Sequence, residues 1–137
     1  MYPAIETQLK AEAPRASVKD ALDHAHAAAQ ELHAALSAAA ARRGGASIDD
    51  LEAIPLKTRA IVDTIKNSLS AHNAATKKSL GEAVTYLEGT GKHAAAALKT
   101  SGTVAEHWIL RAIADARASV QKLSQVVAEK QNGRELH

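Results

Sequence analysis

Seven histidines and no cysteine set the chemistry this chain could offer. Without thiols there is no disulfide, no thiolate metal site and no cysteine nucleophile, so imidazole and carboxylate are left to bind a metal or move a proton. His72 is the sharpest of the seven, because it falls on an apolar seam where Leu or Ile is otherwise the rule. With His107, Glu106 and either Asp20 or His24 it forms a candidate set for a divalent cation, since helical bundles hold such ions through imidazole and carboxylate groups on facing helices. The spacing speaks against that set: no Glu-x-x-His occurs, and no two of its histidines repeat the interval of a His-Glu-x-x-His zinc helix. The favoured reading is a hydrogen-bonded core histidine that fixes helix register, with no metal and no cofactor bound. Asp20, Asp23, His24, His26 and His33 are expected on solvated faces of the first helix.

Those groups need elements to carry them. Gly44-Gly45 and the pair Gly89/Gly91 cut the chain into three nearly equal stretches, each with an apolar residue every three or four positions. That pattern predicts an all-α fold, an elongated, coiled-coil-like antiparallel three-helix bundle forming one domain over 1–137. Helix 1 is expected over about 3–43 with a break near Pro14, and from a Ser17 cap onward its seam is Val18, Leu22, Ala25, Ala29, Leu32, Leu36 and Ala39. Helix 2, over 47–88, opens at Ser47 with Asp49, Asp50 and Glu52 at the positive end of its dipole, and Pro55 is expected to kink it. Its seam is Val62, Ile65, Leu69, His72, Thr76, Leu80, Ala83 and Leu87. Helix 3, over 92–131, carries Ala94, Leu98, Gly102, Ala105, Ile109, Ile113, Ala116, Val120, Leu123 and Val127, until Asn132 and Gly133 stop it.

A turn at Gly89/Gly91 would set Ile65 against Ala116, Leu69 against Ile113, His72 against Ile109 and Leu80 against Gly102. The same pairing puts Lys66 opposite Asp115 and Glu82 opposite Lys99 as exposed ion pairs. Helices 1 and 2 would meet through Leu36 and Ile54, Ala29 and Ile61, and Ala25 and Ile65.

Composition narrows what such a bundle can be. Hydrophobic residues make up 46% of the chain, but 32 of the residues are Ala, Phe is absent, and the aromatic side chains are Tyr2, Tyr86 and Trp108. Close helix approach must then supply what bulky packing does not. A formal charge of +2 is too small to argue for nucleic acid. No apolar run is long enough for a transmembrane helix, and Met1-Tyr-Pro-Ala-Ile-Glu has neither the basic nor the apolar region of a secretory leader, so a soluble, cytoplasmic protein is expected.

One stretch resembles the phosphoacceptor helix of histidine-phosphotransfer domains: His33 leads Ala-Ala-Leu-Ser-Ala-Ala-Ala-Ala-Arg-Arg-Gly. That resemblance implies an exposed His33 and a phosphoryl-carrying role, although Ala stands where the family has the Lys and Gly that follow its histidine. In composition alone the Ala-rich amphipathic helices also resemble phasins, which implies a coat on granules or lipid surfaces. The leading expectation is a third one, a non-enzymatic adaptor, scaffold, chaperone-like or effector-type bundle. It would act on a protein partner or on itself, with Trp108 as the contact residue and no small-molecule substrate.

Overall fold

The computed structural model describes residues 14–135, with side chains over 18–130. That span folds into α1 Pro14–Ala41, α2 Ile48–Ser68, a 3-10 turn Leu69–Ala71, α3 Ala74–Leu98 and α4 Gly102–Glu135, with no strand among the described residues. α1 and α3 each pack on both α2 and α4, which closes a ring of four alternating helices. The fold is therefore a four-helix bundle rather than a three-helix one. No described helix is long and apolar enough to cross a membrane. The expected start at Pro3 lies outside the described residues; Ser17 lies within α1 and is not its cap.

The first connection follows the sequence closely. Gly44 and Gly45 adopt φ of +89° and +80°, a left-handed region open to glycine at little cost. Ser47 then caps α2: its hydroxyl accepts the Asp50 N–H at 3.1 Å, and the Asp50 carboxylate accepts the Ser47 N–H at 3.0 Å. Arg42, at the end of α1, reaches Asp50 at 3.1 Å and ties the two helices together. The Ser47 hydrogen bonds, and after them Arg42, hold the Asp50 carboxyl below its ordinary range. Along the two helices Leu22, Ala25, Ala29, Leu32, Leu36, Ile54, Ile61 and Ile65 are all buried, as their spacing requires.

The second connection is where the expected topology fails. Gly89 and Gly91 lie inside α3, and the chain turns instead at Leu69–Asn73 and again at Lys99–Ser101. At the earlier corner Asn73 caps α3 by accepting the Thr76 N–H at 2.9 Å. At the later one Gly102 takes φ +62° after Thr100 and Ser101. A mid-helix glycine costs about 1 kcal/mol relative to Ala, so each needs a packing reason. A Cβ at Gly91 would lie 2.7 Å from Thr58 Oγ1 and 3.5 Å from the Pro55 Cα, while one at Gly89 would lie 2.6 Å from Asp115 Oδ2. Both glycines let a neighbouring helix come close.

With the corners moved, the helix register moves too. Glu82 pairs with Lys122 at 2.7 Å and Asp115 with His93 at 2.9 Å, which replaces the expected pairs Glu82–Lys99 and Lys66–Asp115. Leu80 is buried whereas Gly102 opens α4 at an exposed position, so these two do not face each other. On α4 the innermost line is Ile109, Ala112, Ala116, Ser119, Leu123 and Val126, and Ile113, Val120 and Val127 sit on its shoulder, half-buried. Ile109, Ala116 and Leu123 keep their expected seam positions, while at the alternate steps Ala112, Ser119 and Val126 take the inner place expected for Ile113, Val120 and Val127. Asn132 and Gly133 do not stop α4, which continues to Glu135.

A narrow core of this kind admits hydroxyls if they are satisfied locally. Thr58, Ser68, Thr90 and Ser119 are buried, and each donates to a carbonyl of its own helix, three or four residues back, at 2.7 to 3.0 Å.

Candidate interaction site

The best-organised cluster of polar and aromatic groups straddles α3 and α4. On α4, Val104, Trp108, Arg111 and Asp115 recur at three- and four-residue steps and so share one face. On α3, Gly89 and His93 lie one turn apart opposite them. The bare backbone at Gly89 is the space the Asp115 carboxylate occupies, and from there Oδ2 stands 2.9 Å from His93 Nδ1, without the alignment of a formed hydrogen bond. His93 in turn stacks on Trp108, with ring centroids 5.4 Å apart and planes at 24°. His107 meets the same indole edge-on at 5.9 Å. The Arg111 guanidinium lies 5.6 Å from the indole centroid, a cation–π contact.

The indole is thus fixed by three neighbours while remaining half-buried. One turn toward the bundle end, Val104 is 53% exposed. Fixed aromatic, exposed aliphatic and cationic groups together make a surface able to bury an apolar group and to accept a carboxylate beside Arg111.

The residues singled out from sequence are dispersed. His107 and Glu106 are exposed near the start of α4, next to Trp108. His72 is buried at the opposite end, near enough to Lys130 and Lys77 for both cations to act on it. Lys130 is roughly 34 Å down α4 from His107, counted at 1.5 Å per residue. The expected juxtaposition of His72 with Ile109 and His107 is therefore corrected, and the candidate metal set does not assemble. Among the described residues no three His, Asp or Glu side chains are placed to share an ion. His72 is buried, but the side-chain hydrogen bond expected of it is not made at Nε2. Asp20 and His24 are exposed on α1, and His33 is half-buried there. His24 lines a shallow groove of about 440 Å³ between α1 and α2, with Ala28, Glu31, Leu32, Lys57 and Ile61.

Of this cluster the sequence singles out Trp108 as a contact candidate, and it gives no such sign for Gly89, His93, Arg111 and Asp115. Arg111 and Asp115 were legible as same-face neighbours of Trp108. His93 and Gly89 were hidden by their assignment to a turn and to the start of the wrong helix. No protein-family model, curated protein or solved structure matches the chain.

Proposed function

We propose that this chain is a non-enzymatic interaction protein whose partner, another protein, seats on the α3–α4 face around Trp108. The observation that carries the reading is the half-exposed indole, packed against His93 and Arg111 with Val104 exposed on the same helix face. Trp and Arg dominate interface hot spots, and a side chain already locked in place loses little entropy on binding. The four-helix scaffold suits the role, since its long antiparallel helices present a rigid surface.

The test is capture from the native organism with the full chain immobilised, followed by titration of whichever protein is retained. Trp108→Ala should weaken that complex by roughly 30-fold or more, the size expected for a hot spot of about 2 kcal/mol. Leu56→Ala, at a residue 69% exposed on α2, should leave it unchanged. Equal binding by the Trp108 variant would overturn the reading. So would binding to lipid vesicles with loss of the helix–helix contacts, which is the behaviour of a surface coat.

A further inference from the structure

His72 stands at the corner between the 3-10 turn and α3, with extended backbone at φ −110° and ψ 157° and its N–H donating to the Leu69 carbonyl at 3.1 Å. Its side chain is only 6% exposed, and its Nε2 is shut off from water with no partner. Two other histidines bury an unpartnered ring nitrogen, His26 at Nε2 and His93 at Nδ1. His93 has the Asp115 carboxylate 2.9 Å away. At His72 the charged groups that act on the ring, among the described residues, are Lys130 from α4 and Lys77 from α3, and no carboxylate does so. The sequence carries no Asp or Glu between Asp63 and Glu82, so the corner has no acid of its own to supply. Lys77 lies in the first turn of α3, where side chains lean back toward the helix start and so toward His72.

A neutral imidazole can occupy such a place; an imidazolium cannot do so cheaply. It would need an acceptor for a second N–H and an anion for its charge, and it would meet two ammonium groups in a site from which water is excluded.

We propose that His72 is a proton-operated latch: neutral, it keeps the α2–α3 corner packed against the bundle end, and protonated, it leaves that end and the corner opens. Burial first, then Lys130 and Lys77, hold its protonation below the ordinary value of 6.5. The unfolded or opened chain therefore takes up a proton that the closed corner refuses. Closure is fully stable above pH 6.5 and weakens as pH falls from there toward the lower pKa of the folded state, below which the loss levels off.

Amide hydrogen exchange on the full chain between pH 7.5 and 5.0, expressed as protection factors, tests this. The amides of His72, Thr76 and Lys77, which bond to Leu69, Asn73 Oδ1 and the Asn73 carbonyl, report the corner. Gly45 and Asp50, bonded to Arg42 and Ser47, report the opposite end. Corner protection should fall across the window by at most roughly 30-fold, the limit at pH 5.0 for an opened-state value of 6.5 and a closed corner that takes up no proton, while the opposite end stays level. His72→Leu should abolish the fall, and His72→Gln, which keeps a polar side chain that does not titrate, should do the same if the Leu variant folds poorly. Corner protection that is flat with pH in the wild type, a fall of equal size at both ends, or a fall that persists in the variants would each overturn the latch.

Discussion

Ile65→Ala should lower the unfolding free energy by about 2 to 5 kcal/mol, whereas Ile113→Ala should cost only about 1 kcal/mol. Ile65 is 1% exposed and is among the largest fully buried side chains of a core in which Leu and Ile alternate with Ala, Val and small hydroxyl residues. Removing its three carbons from a fully buried position leaves a cavity, so the loss contains both the transfer and the cavity contributions. Such a loss is a large part of the total stability of a domain this size. Ile113 is half-buried on the shoulder of α4, because Ala112 takes the inner position. Water can follow where its side chain is cut back. Denaturant midpoints of the two variants, compared at constant slope, check the difference. Equal losses would mean that the α4 seam runs through Ile113 after all.

That contrast between Ile65 and Ile113 also separates what the sequence discloses from what it hides. Helix content, the Gly44-Gly45 turn, the Ser47 cap and the buried line of α1 were legible because each depends on neighbours within one helical turn or on a residue with a single conformational use. The count of helices was not. Gly89 and Gly91 carry the same signal as turn glycines, and only the approach of Asp115, Pro55 and Thr58 from other helices shows that they are there for space. The true corners were marked more quietly, by Asn73 three residues before Thr76 and by Thr100-Ser101-Gly102, and no large hydrophobic gap called attention to them. Once the corner was misplaced, the expected pairs Glu82–Lys99, Lys66–Asp115 and Leu80–Gly102 gave way. His72 was assigned to the middle of the bundle beside Ile109, and the partners of Trp108 were not brought together. The α1–α2 pairing was independent of that corner and kept its expected line of buried residues.

The close approach of α2 to α3 at Gly91 can itself be measured. Gly91→Ala should destabilise the bundle by about 1 to 3 kcal/mol, the cost of overpacking, even though Ala is the better helix former by about 1 kcal/mol. The added methyl would stand 2.7 Å from Thr58 Oγ1, closer than real side-chain carbons come to an oxygen. Thr58 cannot easily swing aside, because it is 4% exposed and its hydroxyl donates to the Pro55 carbonyl at 2.9 Å. The obstacle is that one oxygen, since the next contact, 3.5 Å to the Pro55 Cα, is ordinary packing. Placed on a Thr58→Ala background, Gly91→Ala should therefore become neutral or stabilising by up to about 1 kcal/mol, as helix propensity alone would have it. The sign change would appear as a coupling of about 2 kcal/mol in the double-mutant cycle. Gly89→Ala offers the comparison, because its obstacle is the end of the quarter-exposed Asp115 side chain, which can rotate away into solvent and needs only to give up His93. A Gly91→Ala effect of the same size in both Thr58 backgrounds would show that α2 and α3 are not in contact at this point, and that the glycine serves some purpose other than close approach.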